Sequence, residues 1–595
     1  MKKYVVLLVL LVCPHIAGAA PGYDRPITDR VSIVSNIAVP MRDGAKLYAD
    51  LYRPAREGKF PVLIVRTPYG KQRDGMHETK IQFAQRGYAV LVQDARGRYE
   101  SEGKWDPFRY EGPDGYDTVE WAARQPWSNG KVGMEGGSYL GNVQWQAAAL
   151  TPPSLAAIFP AVASTSLYHN TFFHGGAFKL AVSFGWGAVR MPLRIMYPQY
   201  WHTESYAPAE LRYESIMWNL PLETLDLASS NQPVQHWRDW VKHQSYDDYW
   251  QAISVEERFD KVKVPVHTHG GWFDLLLNGT LNGYTGMRNQ GGTDTARRAA
   301  RMTVGPWGHG PSRKFGDVDF GPDAMRSLFV RELQFFDHHL MGINNGIERE
   351  LPVEIFFMGA NRWVRFADWP LPGARVTPYY LSAGGKGANG SRGDGRLSVD
   401  KPAETDAGSS TYRYDPATPV RSVGAHDCCG IPLSSGPVDQ REVEERGDVL
   451  VYTSDFLKSP LAIAGPIRLK LHAATDGPDT DWMVKLVDVH PSGFAHNIAE
   501  GALRARYRKG MDKPELLRAN EVYEFEVDMR GTANVFLPGH RIRVDITSSN
   551  FPQFDRNLNT GEDLATGRKI RVAQQTIYHS PARPSHILLP LVAVP

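Results

Sequence analysis

The chain has 595 residues, of which 42% are hydrophobic and 22% are charged, and its formal net charge is +2. This length exceeds a single ordinary core and predicts two to four domains, while the ordinary composition excludes a disordered or fibrous protein. A nearly neutral chain has no electrostatic reason to bind nucleic acid or an anionic membrane, so neither partner is expected.

The N-terminus predicts a signal peptide over residues 1–19. Lys2 and Lys3 precede an apolar run over 4–13, and the small residues 17–19 provide a cleavage site. The run is shorter than the roughly 20 residues that a membrane-spanning helix needs, and no later segment is apolar enough to cross. We therefore expect an exported protein, periplasmic or secreted, with an uncleaved anchor as the alternative.

Cleavage would leave two adjacent cysteines, Cys428 and Cys429. Adjacent α-carbons lie about 3.8 Å apart, closer than most disulfides prefer. Two thiols packed inside the fold are the favoured interpretation, and a strained vicinal disulfide is the alternative.

Residues 25–165 predict the first part of an α/β domain. The segment 31–51 reads as a hairpin that turns at Asp43-Gly44. Short apolar runs then alternate with helical segments, which is typical of buried parallel strands. These runs cover residues 60–65, 88–93, 131–135 and 155–162.

The next segment, 166–254, is rich in aromatic residues and predicts an inserted helical cap. The α/β pattern returns over 255–345, where a helix stops at Gly342. Strand patterns separated by turn residues then fill 346–595 and predict a jelly roll. The predicted fold class is α/β, an α/β-hydrolase domain with an inserted helical cap plus a C-terminal all-β jelly roll.

Ser138 carries the strongest chemical signal. It lies in the sequence GGSYLG, between a predicted strand and a predicted helix, where a sharp turn would present its hydroxyl at the top of the sheet. The motif departs from G-x-S-x-G, because Leu140 occupies the place of the last glycine. Alone it is equally compatible with a glycine-rich turn.

A catalytic serine needs a base, and the base needs an orienting acid. Asp274 and His309 each follow a predicted strand, in the order Ser, acid, His that this fold uses. Each residue alone is compatible with an ordinary turn, but the three together in order and topology predict a catalytic triad.

Tyr69 follows the strand 60–65, in the loop that supplies an oxyanion donor in α/β-hydrolases. A phenol hydroxyl can donate in place of a backbone amide. The residues alone favour a simpler role for Tyr69, packing on the sheet.

The chain resembles the bacterial cocaine esterase and X-Pro dipeptidyl-peptidase group, which also includes α-amino-acid ester hydrolases and glutaryl-cephalosporanate acylases. The resemblance covers nearly the whole mature chain and is carried by RTPYGK, VLVQDARGRYESEG, QPWSNGKVGMEGGSYLG, GGWFD, GPWGH, FFDHHLMG and GPVDQREVEERGDVLVYTS.

The resemblance implies the three-part fold and a role for each site residue. Ser138 is the implied nucleophile, His309 the base and Asp274 its orienting acid. Tyr69 and the amide of Tyr139 are the implied oxyanion donors. In this group the turn that carries the nucleophile has the pattern G-x-S-Y-x-G, which residues 136–141 of this chain match.

One departure from the resemblance concerns the substrate. Members that act on α-amino-acid esters have acidic residues after the triad aspartate, whereas Leu275, Leu276 and Leu277 stand here. An ammonium against leucines would be unpaired. We expect an uncharged, apolar acyl group instead, in a pocket formed by Leu276 and Leu277 with Phe172 and Phe173 of the cap.

The predicted function is an exported serine esterase that works without cofactor or metal through an acyl-enzyme on a small ester or amide. An amidase, acylase or X-Pro dipeptidyl-peptidase with the same triad is the alternative. A zinc hydrolase using His267, His269, Asp274 and His309 is a remote one, as is a carbohydrate-binding protein built on the jelly roll. A homo-oligomer is compatible with the sequence.

Overall fold

The computed structural model describes residues 23–73, 76–192, 213–406, 408–424, 426–428 and 435–595. The predicted signal peptide lies outside these residues, as does Cys429. Within the described ranges, no helix has the length and apolar character needed to cross a membrane.

The first part of the α/β domain is a strand–helix alternation. Its strands are β1 (Val31–Pro40), β2 (Lys46–Pro54), β3 (Phe60–Thr67), β4 (Ala89–Asp94), β5 (Ser128–Gly137) and β6 (Leu155–Ala161), and its helices are α1 (Met76–Ala84), α2 (Glu111–Ala123) and α3 (Tyr139–Ala148). Strands β1 and β2 form the predicted antiparallel hairpin. Gly44 turns it with a φ of 90°, a conformation that favours glycine.

The cap follows and is mainly helical. It contains the short strands β7 (Phe173–His174) and β8 (Ala177–Phe178), and the helices α4 (Leu180–Val182), α5 (Tyr213–Met217), α6 (Leu225–Ser230), α7 (Gln235–Lys242) and α8 (Asp248–Gln251). Two π-helical segments, Leu167–Phe172 and Ser183–Arg190, and a 3-10 turn, Leu222–Thr224, complete the part of the cap that the structure describes.

The second part of the α/β domain completes its sheet. It contains β9 (His267–Gly271), α9 (Leu277–Gln290), α10 (Asp294–Ala299), β10 (Arg301–Gly305), β11 (Lys314–Phe315), β12 (Val318–Asp319), α11 (Leu328–Met341), β13 (Val353–Phe357) and β14 (Arg362–Phe366). The sheet has ten strands in the order β1-β2-β4-β3-β5-β6-β9-β10-β13-β14. Strands β3 to β6, β9, β10 and β13 run parallel to their sheet neighbours within this set.

The parallel strands are buried because helices cover the sheet. Every residue of β3, β4 and β10 is buried, as expected for strands with both faces covered. Helix α11 ends at Gly342, whose φ of 72° is the left-handed conformation of a common helix C-cap. This arrangement fixes the carboxyl ends of β5, β9 and β10 along one edge of the sheet.

One predicted strand lies in a different layer from the one expected. The segment 351–357 was predicted to begin the jelly roll, but β13 pairs in parallel with β10 and β14 extends the same hydrolase sheet. A short apolar run indicates a buried strand without indicating which sheet it joins. The first jelly-roll strand begins only at Arg375.

The C-terminal domain is the predicted all-β jelly roll. Its strands are β15 (Arg375–Ala383), β16 (Gly395–Ser398), β17 (Ser409–Tyr414), β18 (Leu450–Thr453), β19 (Leu461–Thr475), β20 (Asp481–Val489), β21 (Ala495–Arg504), β22 (Tyr523–Phe536), β23 (Arg541–Thr547), β24 (Ala573–Ser580), β25 (Arg583–Pro584) and β26 (His586–Val592). The only helix longer than a single 3-10 turn among its described residues is α12 (Arg441–Glu444). Alternate side chains of these strands form a separate apolar core.

Candidate active site

Ser138 occupies a sharp turn between β5 and α3. Its backbone has φ 61° and ψ −126°, a conformation that non-glycine residues rarely adopt. The Ser138 amide donates to the carbonyl of Ala161 at 2.9 Å, which ties the turn to the end of β6. The side chain is half-buried. Strained backbone held by its surroundings is typical of a nucleophile turn.

The glycines around Ser138 are required by close packing. A β-carbon on Gly136, whose φ is 127°, would lie 2.7 Å from Leu140 Cβ. A β-carbon on Gly141 would lie 2.5 Å from Ala163 Cβ. The close approach of α3 to the neighbouring strand therefore falls at position 141, which explains why Leu140 is tolerated at the place of the last glycine of the simpler motif.

Asp274 and His309 meet beyond the ends of β9 and β10. His309 Nδ1 lies 2.8 Å from Asp274 Oδ1, with the carboxylate fully buried and the imidazole 19% exposed. The two loops are bonded to each other, because the Phe273 amide donates to the carbonyl of Trp307 at 2.8 Å. With Nδ1 engaged by a carboxylate, Nε2 is the ring nitrogen available to a hydroxyl.

Ser138 and His309 share this edge of the sheet without a direct bond. Among the hydrogen bonds of the described residues, none joins the Ser138 hydroxyl to the imidazole. Both side chains are half-buried. Contacts between a nucleophile and its base often tighten only in the substrate complex, so this separation is compatible with a shared task.

Tyr69 lies in a firmly braced loop after β3. Its hydroxyl accepts a hydrogen bond from the indole of Trp186 at 3.2 Å, and its carbonyl accepts one from the Tyr99 hydroxyl at 2.6 Å. Gly70 has a φ of 102°, and a β-carbon there would lie 3.0 Å from the Tyr99 ring. The loop thus packs against the segment after β4, and the half-buried phenol is held by a cap residue.

The side chain and the backbone amide of Tyr139 have different surroundings. The phenol is buried and donates to Glu111 Oε1 at 2.7 Å, and burial raises its pKa well above the ordinary value. Glu111 is in turn paired with Arg66 at 2.5 Å. The Tyr139 amide opens α3, and first-turn amides have no acceptor within their helix. That amide lies at the positive end of the helix dipole, where it can bind an anionic oxygen.

The predicted pocket residues divide into two groups. Phe172 stacks on Trp240 with ring centroids 4.0 Å apart, and Trp240 stacks on Trp186, the residue that contacts Tyr69. Phe173 instead stacks on Tyr168, in the interior of the cap.

The two predicted pocket leucines, Leu276 and Leu277, also have different neighbours. Leu276 packs with Leu275 and Cys428 in a small cluster of its own, whereas Leu277 belongs to the main hydrolase core. Of the four, Phe172 is linked to Tyr69 through Trp240 and Trp186, whereas Leu276 packs apart from the main core that contains the other three.

Two charged side chains near the predicted triad were missed by the sequence analysis. Lys179 of the cap is buried, and its Nζ donates to the carbonyls of Asn170 at 2.8 Å and Leu275 at 3.0 Å. Asp427 of the jelly roll is buried, and its Oδ2 has no hydrogen-bond partner among the described residues. Neither residue lies in a motif, so no local sequence signal could have found it.

The pKa values of Lys179 and Asp427 are strongly shifted from their ordinary values. Burial lowers the pKa of Lys179 well below the ordinary lysine value, and nearby Arg530 lowers it further, while Asp427 and Asp274 raise it. Burial raises the pKa of Asp427 to about 7, against the opposing effects of the Cys428 amide, Lys179 and His309. The surroundings of the predicted triad therefore combine residues of all three parts of the chain.

The alternative zinc site is not assembled. His267 packs 4.6 Å from Phe159, ring to ring, and its Nε2 contacts Thr303 Oγ1. His269 stacks on Trp307. Among the described residues, no metal-binding group contains His267 or His269 together with Asp274 and His309.

Cys428 is disulfide-bonded, so the favoured interpretation of a packed thiol is wrong at this residue. The chain has three cysteines, and the partner of Cys428 lies outside the described residues. The expectation of a thiol weighed only the local cost of closing an adjacent pair, which tertiary packing can outweigh.

Comparisons with known proteins agree with this architecture. Residues 43–311 match the X-Pro dipeptidyl-peptidase (S15) family, and residues 345–588 match the X-Pro dipeptidyl-peptidase C-terminal non-catalytic domain. A cocaine esterase from Rhodococcus sp. (strain MB1 Bresler) is 37% identical over 94% of this chain and 99% of its own length.

Solved structures of similar shape extend the comparison. An aminopeptidase from the marine sediment archaeon Thaumarchaeota archaeon is 26% identical, with a TM-score of 0.80, over 97% of this chain and 99% of its own. An α-amino acid ester hydrolase is 26% identical, with a TM-score of 0.79, over 98% of this chain and 100% of its own. The chain belongs to the cocaine esterase group of the X-Pro dipeptidyl-peptidase (S15) family, and it is a serine ester hydrolase.

Proposed function

We propose that this chain, as a member of that family, is an exported esterase in which Ser138 is the nucleophile, His309 the general base and Asp274 the orienting acid. The observation that carries the proposal is the pairing of Asp274 with His309 at 2.8 Å, at the same sheet edge as the strained turn of Ser138. Export rests on the signal pattern of residues 1–19 alone.

The proposed reaction proceeds in two steps. Ser138 Oγ attacks the ester carbonyl while His309 Nε2 accepts the hydroxyl proton, and the imidazolium then gives that proton to the departing alcohol. The acyl-enzyme remains on Ser138. Water repeats the sequence, because His309 takes its proton as it attacks and returns that proton to Ser138 Oγ when the carboxylic acid leaves. Asp274 keeps the proton on Nδ1 and stabilises the imidazolium.

Two donors would stabilise the oxyanion of each tetrahedral intermediate. The Tyr139 amide lies at the N-terminus of α3, and the Tyr69 hydroxyl is held by the Trp186 indole. A hydroxyl that accepts a hydrogen bond becomes a better donor, since chains of hydrogen bonds polarise one another. Donors aimed in advance at a developing charge cost no reorganisation during the reaction.

The acyl group is proposed to be uncharged and apolar. Trp186, Trp240 and Phe172 form a continuous aromatic wall that reaches Tyr69, and Leu276 supplies a buried apolar side chain two residues after Asp274. A wall of this kind binds aromatic or medium-chain acyl groups by removing apolar surface from water.

Asp427 supports a second candidate, the hydrolysis of α-amino acyl esters or of peptides with a free N-terminus. Its buried Oδ2 has no protein partner among the described residues, and the carboxyl is close enough to His309 for the imidazole to lower its pKa. A substrate ammonium would provide the missing partner. This carboxylate comes from the jelly roll, not from the loop after Asp274 where the sequence analysis sought one.

The two candidates are tested with pairs of p-nitrophenyl esters that differ only in the α-amino group. We expect the uncharged ester to have a kcat/KM at least about tenfold higher, a modest demand for leaving an ammonium unpaired. Equal rates, or a preference for the amino ester, would refute the apolar acyl site while leaving the triad intact.

The variant Asp427→Asn identifies the cause of any amino-ester activity. Because burial raises the pKa of Asp427 to about 7 and an α-amino group loses its proton at about pH 8, the carboxylate and the ammonium coexist mainly between these values. An amino-ester preference that rises as the pH approaches about 7 and falls again above about 8 in the wild type, with the rise missing in Asp427→Asn, would establish the second candidate. An unchanged preference in the variant would exclude Asp427 from substrate binding.

A further inference from the structure

A cluster of metal-binding side chains lies at one end of the jelly roll, on three adjacent strands. Asp488 is directly opposite His496 in the antiparallel pair of β20 and β21. His490 follows β20 immediately, and its amide donates to the carbonyl of Phe494 at 2.8 Å to close the hairpin. Since side chains alternate along a strand, Asp488, His490 and His496 share one face.

The third strand adds a fourth residue to this face. Val489 of β20 is opposite Arg541 of β23. His540, one residue before β23, therefore lies opposite His490 and on the same face as Asp488. The same face carries Leu486 and Ile542, both fully buried in the jelly-roll core. Three histidines and one aspartate thus occupy the end of a face that is otherwise apolar.

The nitrogen and oxygen atoms of the cluster are close together. His490 Nε2 lies 3.2 Å from His496 Nδ1, and the ligand atoms of Asp488, His490 and His496 all lie within 4.8 Å of one another. Two imidazole nitrogens bound to one tetrahedral ion at about 2.0–2.1 Å are separated by roughly 3.3 Å. The observed spacing therefore needs little adjustment to accept an ion.

His540 lies where a supporting residue would be expected. Its Nδ1 is 2.8 Å from Asp488 Oδ1, and its ring lies 4.3 Å from that of His490, centroid to centroid. Pairs of carboxylate and imidazole of this kind orient the ligands of metal sites.

We propose that His490, His496 and Asp488 bind a divalent transition-metal ion of the zinc class, with His540 held beside it by Asp488. Two nitrogens and a carboxylate match the preferences of Zn²⁺ rather than those of Mg²⁺ or Ca²⁺, which favour oxygen ligands. The half-buried side chain of His490, next to exposed Pro491 and Ser492, gives the ion a path from solvent.

The ion would have a structural role, separate from ester hydrolysis. It would tie the two strands of the β20–β21 hairpin together at the edge of the sheet, where β21 has no further strand neighbour in the main strand order, and Asp488 would link the site to His540 before β23. A bound ion stabilises the folded chain by mass action, because the unfolded chain does not present the preformed site. Removal of metal should therefore lower thermal stability without changing turnover.

The test titrates the chelator-treated full chain with Co²⁺ and Zn²⁺. We expect one equivalent of Co²⁺ with the visible absorption of a low-symmetry site, displacement of that signal by Zn²⁺, and a rise of several degrees in Tm with Zn²⁺. His490→Ala and His490→Gln should lose all three effects. His472→Ala, which removes a half-buried histidine of β19 in the same domain, should retain them.

Esterase activity and the metal-free Tm verify that each variant is folded. Because His490 is half-buried, both substitutions should leave the chain folded. Because the ion is separate from ester hydrolysis, they should also keep wild-type turnover. No saturable binding to the wild type would overturn the proposal. Binding retained by both His490 variants would also overturn it, since the ion would then be held elsewhere, for example by the catalytic-site histidine.

Discussion

The two sides of the candidate active site are built in different ways. On one side, Ser138, Asp274 and His309 follow β5, β9 and β10, so short local motifs and a parallel sheet position them. On the other side, Lys179 comes from the cap and Asp427 from the jelly roll, and they come near the triad only through tertiary packing. Local sequence motifs therefore predict the residues of the first side, whereas the residues of the second side are brought together only in the folded chain.

The difference separates chemistry from recognition. The sheet edge carries the proposed nucleophile, base and oxyanion donors, which any ester would use. Of the residues from the cap and the jelly roll, Asp427 is expected to influence which acyl group approaches that edge, whereas Lys179 supports the Leu275 carbonyl next to Asp274. Variants of the first side and of Lys179 should change turnover for all substrates, and variants of Asp427 should change it unequally.

The largest effect is expected for Asp274→Asn. The substitution preserves the shape of a fully buried side chain but lets the amide stabilise the wrong tautomer of His309. We expect kcat to fall by about 10³–10⁴ for every ester tested. Steady-state kinetics with a short and a long acyl ester verify this, and a loss below about tenfold would remove Asp274 from the proposed triad.

Tyr69→Phe should have the next largest effect. The hydroxyl is lost while the ring and its loop remain, so kcat should fall by about 10²–10³ with little change in KM. Tyr99→Phe is the matched control, because it removes a hydroxyl that braces the same loop by donating to the carbonyl of Tyr69, and its effect should be much smaller. A rise in KM alone for Tyr69→Phe would assign Tyr69 to substrate binding instead.

Lys179→Met should have a smaller effect on catalysis, because Lys179 acts as a positioning residue. Its Nζ donates to the carbonyl of Leu275, next to Asp274, and a slightly misplaced acid weakens catalysis through His309. We expect kcat to fall about tenfold with KM nearly unchanged. Lys485→Met, which removes another interior lysine, should lower stability without lowering kcat.

The pH dependence distinguishes positioning from general destabilisation. Because burial lowers the pKa of Lys179, the folded chain resists protonation there, whereas the unfolded chain takes up that proton below about pH 10. The wild type therefore loses stability as the pH falls from 10 towards the lowered pKa, and Lys179→Met lacks this loss. A kcat defect that tracked stability at every pH would show that Lys179 has no positioning role.

The sequence predicted one side of the site better than the other, for a physical reason. The glycines at 136 and 141 are forced by contacts of α3 with residues close in sequence, and such constraints leave readable motifs. Lys179 and Asp427 take their roles from contacts between distant parts of the chain, such as the bond from Lys179 to the carbonyl of Leu275, 96 residues away. Apolar runs predicted most strands, yet they could not indicate that β13 and β14 join the hydrolase sheet.

The central claim is that Ser138 is the nucleophile, and covalent trapping tests it most directly. The full chain is treated with a fluorophosphonate, digested and analysed by mass spectrometry, with Ser138→Ala as the control. We predict a single adduct on the peptide that contains Ser138, complete loss of esterase activity at one equivalent, and no adduct in the folded variant. An adduct on another serine, or an untouched Ser138 in an inactivated enzyme, would contradict the account.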